Sequence, residues 1–271
     1  MRRWVEALWV GGGAVVGISA IVAGIAISMR PTTAVPPPIR IDDPERIIDL
    51  AFEFIEEGAP ERLPELIYAE SPEMEAVLAR IGSLLASVTE LGAALETRFP
   101  DETARIRESA ARELADSEMF QSARNAARDG PDERFLSRIF VDPFASLRRF
   151  RDRIDVVYIS DDARAILVDG QPAFGVGLTV REYDIGWRIA LPTTIPVVSR
   201  YMPQSRDEWT IVASMVTVID NAIKDLTADV RSGRIRNLDD AARRAGEKAW
   251  APLVMTVVAY QRAMEIRSSG E

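Results

Sequence analysis

Twenty-three consecutive residues, Ala7 to Met29, carry no charge, and nothing else in the chain constrains its architecture as strongly. A helix rises about 1.5 Å per residue and a hydrocarbon core is about 30 Å thick, so a run of this length can span a bilayer with some tilt. Trp4 and Trp9 stand near its entry face, where indole rings favour the headgroup region. Arg2, Arg3 and the terminal amine outweigh Glu6 on that side, whereas the far side offers only Arg30 nearby. The positive-inside bias therefore predicts a single-pass inner (cytoplasmic) membrane protein, its N-terminus in the cytoplasm and the rest in the periplasm or outside.

A cleaved signal peptide is the competing expectation. Gly24-Ile25-Ala26 and Ala26-Ile27-Ser28 offer small residues at the spacing a signal peptidase reads. Signal h-regions usually run about 7 to 15 residues, however, and the greater length here favours an uncleaved anchor. Gly13 and Gly17 have the four-residue spacing that lets membrane helices approach closely, but glycine is common in such helices and a plain anchor accounts for them.

Beyond the anchor the chain turns acidic. Residues 1–40 carry a net charge of +3 and the remainder −12, a balance opposed to phosphate backbones, which attract basic surfaces. The one basic cluster is Arg148, Arg149, Arg151 and Arg153, interleaved with Phe144 and Phe150; at helical spacing its arginines line the solvated side, so no nucleic-acid partner is expected. The 271 residues include no histidine and no cysteine. That removes the commonest proton shuttle, the commonest zinc ligands, the thiolate nucleophile and any disulfide. No metal and no cofactor are expected, and the domain must be held by its own core.

Residues 1–30 are thus read as the anchor and 31–41 as a linker stiffened by Pro31, Pro36, Pro37 and Pro38. The globular part opens with Asp43-Pro44-Glu45, an N-cap, a proline at the first helical position and an acid at the positive end of the dipole. Ile47, Ile48, Ala51, Phe52 and Ile55 share one face of this helix, which Gly58 ends. Ser71-Pro72-Glu73 starts a second helix, and Met74, Val77, Ile81, Leu84, Val88, Leu91 and Leu95 recur along it in steps of three and four. Leu78 and Leu85 occupy places where a coiled coil wants charge, so the widened stripe predicts a core helix. Residues 101–128 are helical by composition, and Gly130-Pro131 closes them.

From Ile154 the period falls to two. Ile154 to Ile159, Ala163 to Val168, Ala173 to Glu182 and Trp187 to Leu191 read as four antiparallel strands in a meander. The joints are Ser160-Asp161-Asp162, the hairpin dipeptide Asp169-Gly170, and Tyr183 to Gly186. Trp209, Val212, Met215, Val216, Ile219, Ile223, Leu226 and Val230 then line one face of a helix closed by Gly233. Asn237 starts another helix, and Pro252 is placed to begin a further one. The expected fold is α+β: an N-terminal transmembrane helix, long helices on a curved four-stranded antiparallel sheet, and a C-terminal helical extension.

That order of helices followed by a sheet ending in Gly186-Trp187-Arg188-Ile189 resembles the NTF2-like (cone-shaped α+β) superfamily, and small membrane-anchored bacterial envelope members most of all. The early segment Phe52 to Leu63 matches their helix, acidic turn and short apolar helix, and the resemblance spans about residues 42–191. It implies an NTF2-like domain at 42–204 and makes 205–271 an added helical extension. It also implies a sheet wrapped around a helix-closed pocket that serves apolar ligands, protein partners or, less often, acid–base catalysis.

Tyr158, Phe174, Tyr183 and Trp187 are the residues that could line such a pocket, since ligand sites are mostly aromatic and aliphatic; the alternative is that they fill the core. No catalytic residue stands out. Asp155, Asp161, Asp162, Asp169, Glu182 and Asp184 lie on or beside the sheet, but most are turn residues that serve the backbone. Neither Lys224 nor Lys248 has a serine at Ser-x-x-Lys spacing. The sequence therefore favours a non-enzymatic envelope protein, held in the bilayer through residues 7–29, that binds a protein partner or small apolar ligand. A carboxylate-dependent enzyme of the same fold, or a periplasmic lipid carrier if the N-terminus is cleaved, are the alternatives.

Overall fold

A computed structural model describes residues 39–113, 140–173, 177–193, 199 and 202–269. The expected anchor, most of the linker and the later part of the 101–128 segment lie outside these residues. What is described is an α+β fold with helices packed on an antiparallel sheet.

Helix α1 (Arg46–Glu56) follows Asp43, whose carboxylate accepts the Glu45 amide at 3.0 Å. Its Ile47, Phe52, Phe54 and Ile55 are buried, and a short 3-10 helix, Pro60–Leu66, leads on to α2 (Pro72–Arg98). Ser71 caps α2 by accepting the Met74 amide at 3.1 Å, with Pro72 at the first helical position as expected. Every apolar residue of the three-and-four stripe is buried, and so are Leu78 and Leu85, which a coiled coil would leave at its flanks. Among the described residues α2 is the one helix long and apolar enough to cross a membrane; its burial within the domain instead makes it the central core helix. Helix α3 (Pro100–Glu113) follows directly, and α4 (Ala145–Phe150) precedes the sheet.

The sheet runs β1 (Ile154–Ser160), β2 (Ala163–Val168), β3 (Gln171–Pro172), β4 (Thr179–Tyr183) and β5 (Gly186–Ala190). Its spatial order β1-β2-β4-β5 is the antiparallel meander expected from the turn signals, with the short β3 pairing only to β2. Asp169 (φ 54°) and Gly170 (φ 71°) form the two-residue hairpin turn between Val168 and Gln171, both in the left-handed region that this dipeptide tolerates. The expected third strand, Ala173 to Glu182, is shorter than the pattern suggests. Gly177, at φ 72°, bends the chain before pairing resumes at Thr179.

Helix α5 (Arg206–Arg231) is capped by Ser205, and α6 (Leu238–Ser269) by Asn237, whose side chain accepts the Asp240 amide at 2.8 Å. Pro252 does not start a separate helix: α6 continues through it. One proline removes a single backbone hydrogen bond, and helix formers on both sides can carry the chain past that loss. Val216, Ile223, Leu226 and Val230 of α5 join the stripe of α2, together with Ile166, Val180 and Trp187 of the sheet, in one continuous core.

Candidate functional site

Strand register decides which expected site residues can meet. Tyr158 lies opposite Arg164, Arg164 opposite Val180, and Trp187 opposite Glu182. Because side chains alternate between faces, Tyr158, Arg164, Val180, Glu182 and Trp187 all share the inner face. Val180 is 0% and Trp187 5% exposed there, packed into the helical core. Tyr183 pairs with Gly186 and so falls on the outer face, where its ring stacks on Tyr68 with centroids 3.6 Å apart and planes within 5° of parallel. Burial raises the Tyr183 phenol pKa. Phe174 lies outside the described residues. Tyr183 thus stands on the face opposite Tyr158 and Trp187.

Tyr158 and Trp187 are instead joined by an arginine. The Arg164 guanidinium lies 4.7 Å from the Tyr158 ring centroid and 5.1 Å from that of Trp187, a geometry in which the cation meets the negative faces of both rings. Arg164 also donates to the carbonyls of Ser160 and, at 2.9 Å, Ala163, while the Tyr158 hydroxyl donates to Asp161 at 3.0 Å. This clasp closes the core at the β1 side. The sequence carried no signal for it: Ser160 pairs with Ala163 across the 161–162 turn, and a register shift between Tyr158 and Ser160 is what brings Arg164 opposite Tyr158.

The two edges of the sheet differ. At β5, the Trp187 amide donates to the Ile41 carbonyl at 2.8 Å, and isolated parallel bridges join Ile41 to Gly186 and Ile67 to Ile189. Gly186 sits at φ 91°, and a Cβ there would stand 2.5 Å from the Ile41 carbonyl oxygen. Arg188, 3% exposed, reaches across to donate to the carbonyls of Trp187 (2.7 Å) and Ile39. Burial lowers the pKa of its guanidinium, and the negative charge of Glu65 offsets part of that shift.

At β1, no strand covers the outer edge among the described residues. Val157, Tyr158 and Ile159 are 43%, 62% and 53% exposed. They are consecutive, so they project alternately to both faces. Large apolar groups open on both sides of an uncovered edge are unusual, since soluble proteins commonly protect such edges with charge, proline or a covering element.

The six carboxylates on or beside the sheet are all exposed. Asp162 is held below the usual carboxylate range by the Ser160 hydroxyl, and Asp169 by Arg153, whose Nε donates to it at 2.7 Å. Both shifts favour the ionised form, opposite to what a general acid needs. Ser87 and Lys224 share a partner, donating to different oxygens of the Asp220 carboxylate between α2 and α5; Ser87 is buried there, so its hydroxyl serves as a helix-to-helix tie. Among the described residues no group of carboxylates converges as a metal site would. In the basic cluster, Arg148 pairs with Asp142, Arg151 with Glu56 at 2.7 Å, and Arg153 with Asp169. Compared with known protein families, characterised proteins and solved structures, the chain shows no match.

Proposed function

We propose that this chain is a membrane-anchored, non-enzymatic module of NTF2-like character that binds a protein partner by strand addition at β1. Residues 7–29 hold it in the inner membrane, and the proline-rich linker sets the acidic domain off the bilayer on the far side from the cytoplasm. The observation that carries this reading is the exposure of Val157, Tyr158 and Ile159 on the sheet's open edge. A partner strand would satisfy the edge's backbone groups and cover these side chains, the recognition mode in which main-chain bonds supply affinity and alternate side chains supply specificity. The filled inner face at Ile166, Val180 and Trp187 favours a protein partner over an apolar ligand, and the exposed sheet carboxylates favour binding over catalysis.

The test is photo-crosslinking of the full-length chain in its membrane, with a benzophenone side chain at Tyr158 and, as control, at Asp184 on the far edge. The expected result is a discrete adduct from position 158 and none from 184. Equal labelling from both positions, or no adduct from either, overturns the proposal.

A further inference from the structure

The segment that closes β5 is joined by successive contacts to Tyr158 on the open edge. Residues 39–41 directly follow the proline-rich linker, and they hold Trp187 by its main chain. The Trp187 amide donates to the Ile41 carbonyl at 2.8 Å, while Arg188 donates from Nη1 to the Trp187 carbonyl at 2.7 Å and from Nη2 to the Ile39 carbonyl. The Trp187 ring in turn lies 5.1 Å from the Arg164 guanidinium, whose other aromatic neighbour is the Tyr158 ring at 4.7 Å. Arg164 also donates to the Ser160 carbonyl, at the end of the register shift between Tyr158 and Ser160. One arginine thus holds both the Tyr158 ring and the irregularity that re-aims the end of β1.

We propose that seating residues 39–41 on β5 orders Tyr158 for pairing, so that the way the linker enters the domain regulates how strongly the open edge binds. This rests on the strand-addition reading above. Trp187 is 5% exposed and packed in the core, where a side chain has few alternative positions, so a shift of its main chain is passed to its ring. With residues 39–41 displaced, Trp187 loses the Ile41 carbonyl and Arg188 keeps one of its two acceptors. Arg164 then loses the ring on its buried side and with it a fixed place for Tyr158, which is 62% exposed and has little else to hold it. An exposed side chain ordered before it binds gives up less freedom on binding, an advantage of roughly two- to tenfold in affinity. Anchoring and recognition, at opposite edges of one sheet, are in this way a single coupled system.

The test reads Tyr158 itself. The full-length chain in detergent carries 3-fluorotyrosine at position 158 and is compared by fluorine NMR with its Arg164→Met, Arg188→Lys and double variants. Arg164→Met should move the resonance to that of a solvated tyrosine. Arg188→Lys replaces the planar fork that spans two carbonyls by a point charge, and should move the resonance in the same direction. The double variant should move it no further than Arg164→Met alone, the mark of two residues acting through one path. Arg188→Met, which removes the fork without leaving a buried charge, is the second variant and should give the same displacement as the lysine. Binding is read in the membrane from a benzophenone at Val157 with Tyr158 intact, where Arg188→Lys should lower the adduct yield about fivefold. A resonance unmoved by both Arg188 variants, shifts that simply add in the double variant, or an adduct yield that Arg188→Lys leaves unchanged overturns the proposal. No adduct from the unsubstituted chain overturns strand addition instead, and the resonances still decide whether residues 39–41 hold Tyr158.

Discussion

The sheet ends in two edges made from similar material and treated in opposite ways. β5 is an apolar strand whose outer side is covered by Ile41 and Ile67, with Arg188 tying in the Ile39 carbonyl. β1 is equally apolar, yet its outer side meets no strand among the described residues, and its central side chains face solvent. The comparison teaches that edge protection here is not a property of strand composition. It comes from a distant segment, residues 39–41, laid beside β5 and absent from β1. An edge closed within the chain contributes to stability, while an edge left open at the cost of exposed valine, tyrosine and isoleucine is available for recognition.

Substitutions at the closed edge should therefore read out as stability and those at the open edge as binding. The largest expected loss is at Gly186. Alanine there combines a left-handed φ with a Cβ placed 2.5 Å from the Ile41 carbonyl oxygen, so Gly186→Ala should cost about 3 kcal/mol in a denaturation titration. A change under about 0.5 kcal/mol would mean that residues 39–41 leave the edge without consequence, and would break the comparison.

Arg188→Ala comes next, at about 2 kcal/mol by the same measurement, because it strips a charged donor from two carbonyls at a buried site. Arg188→Met sharpens the point. The guanidinium is buried against backbone carbonyls at a desolvation cost that Glu65 offsets only in part, so replacing it with an apolar side chain of similar length should cost less than alanine.

The smallest expected effect on stability is at the open edge, where Ile159→Lys should shift unfolding by less than about 0.5 kcal/mol, as for most exposed positions. The same substitution should abolish the photo-adduct from Tyr158, since lysine on an edge strand opposes pairing. If Ile159→Lys unfolds the domain instead, β1 is part of the stabilising core and the two edges are alike.

Much of the fold was legible from sequence because its signals are local. Ser71 and Pro72 announce α2, Asp169-Gly170 the tight hairpin, and the stripe from Met74 to Leu95 the core helix. The misses were local propensities overruled by context. Pro252 reads as a helix start but lies within α6, and the third strand is cut short by the bend at Gly177. The aromatic residues proposed for one pocket were grouped by type, whereas alternation across paired strands puts Tyr183 on the face opposite Trp187 and gives it Tyr68 as partner. Tyr68 and Arg188 carried no signal that sequence reasoning could use, because their roles depend on segments far away in the chain.

By itself the sequence determined the kinds of element and their order: an uncharged run long enough for a bilayer, capped helices with one apolar face, and a period-two region broken by turn dipeptides. These follow from hydrogen bonding and side-chain spacing within a few residues. Only the tertiary structure decided which edge of the sheet is covered, that Arg188 is buried against backbone carbonyls, and that Val157, Tyr158 and Ile159 remain open. Those outcomes depend on which distant segment comes to lie beside which strand, and that is settled by the packing of the whole core rather than by any residue's own preference.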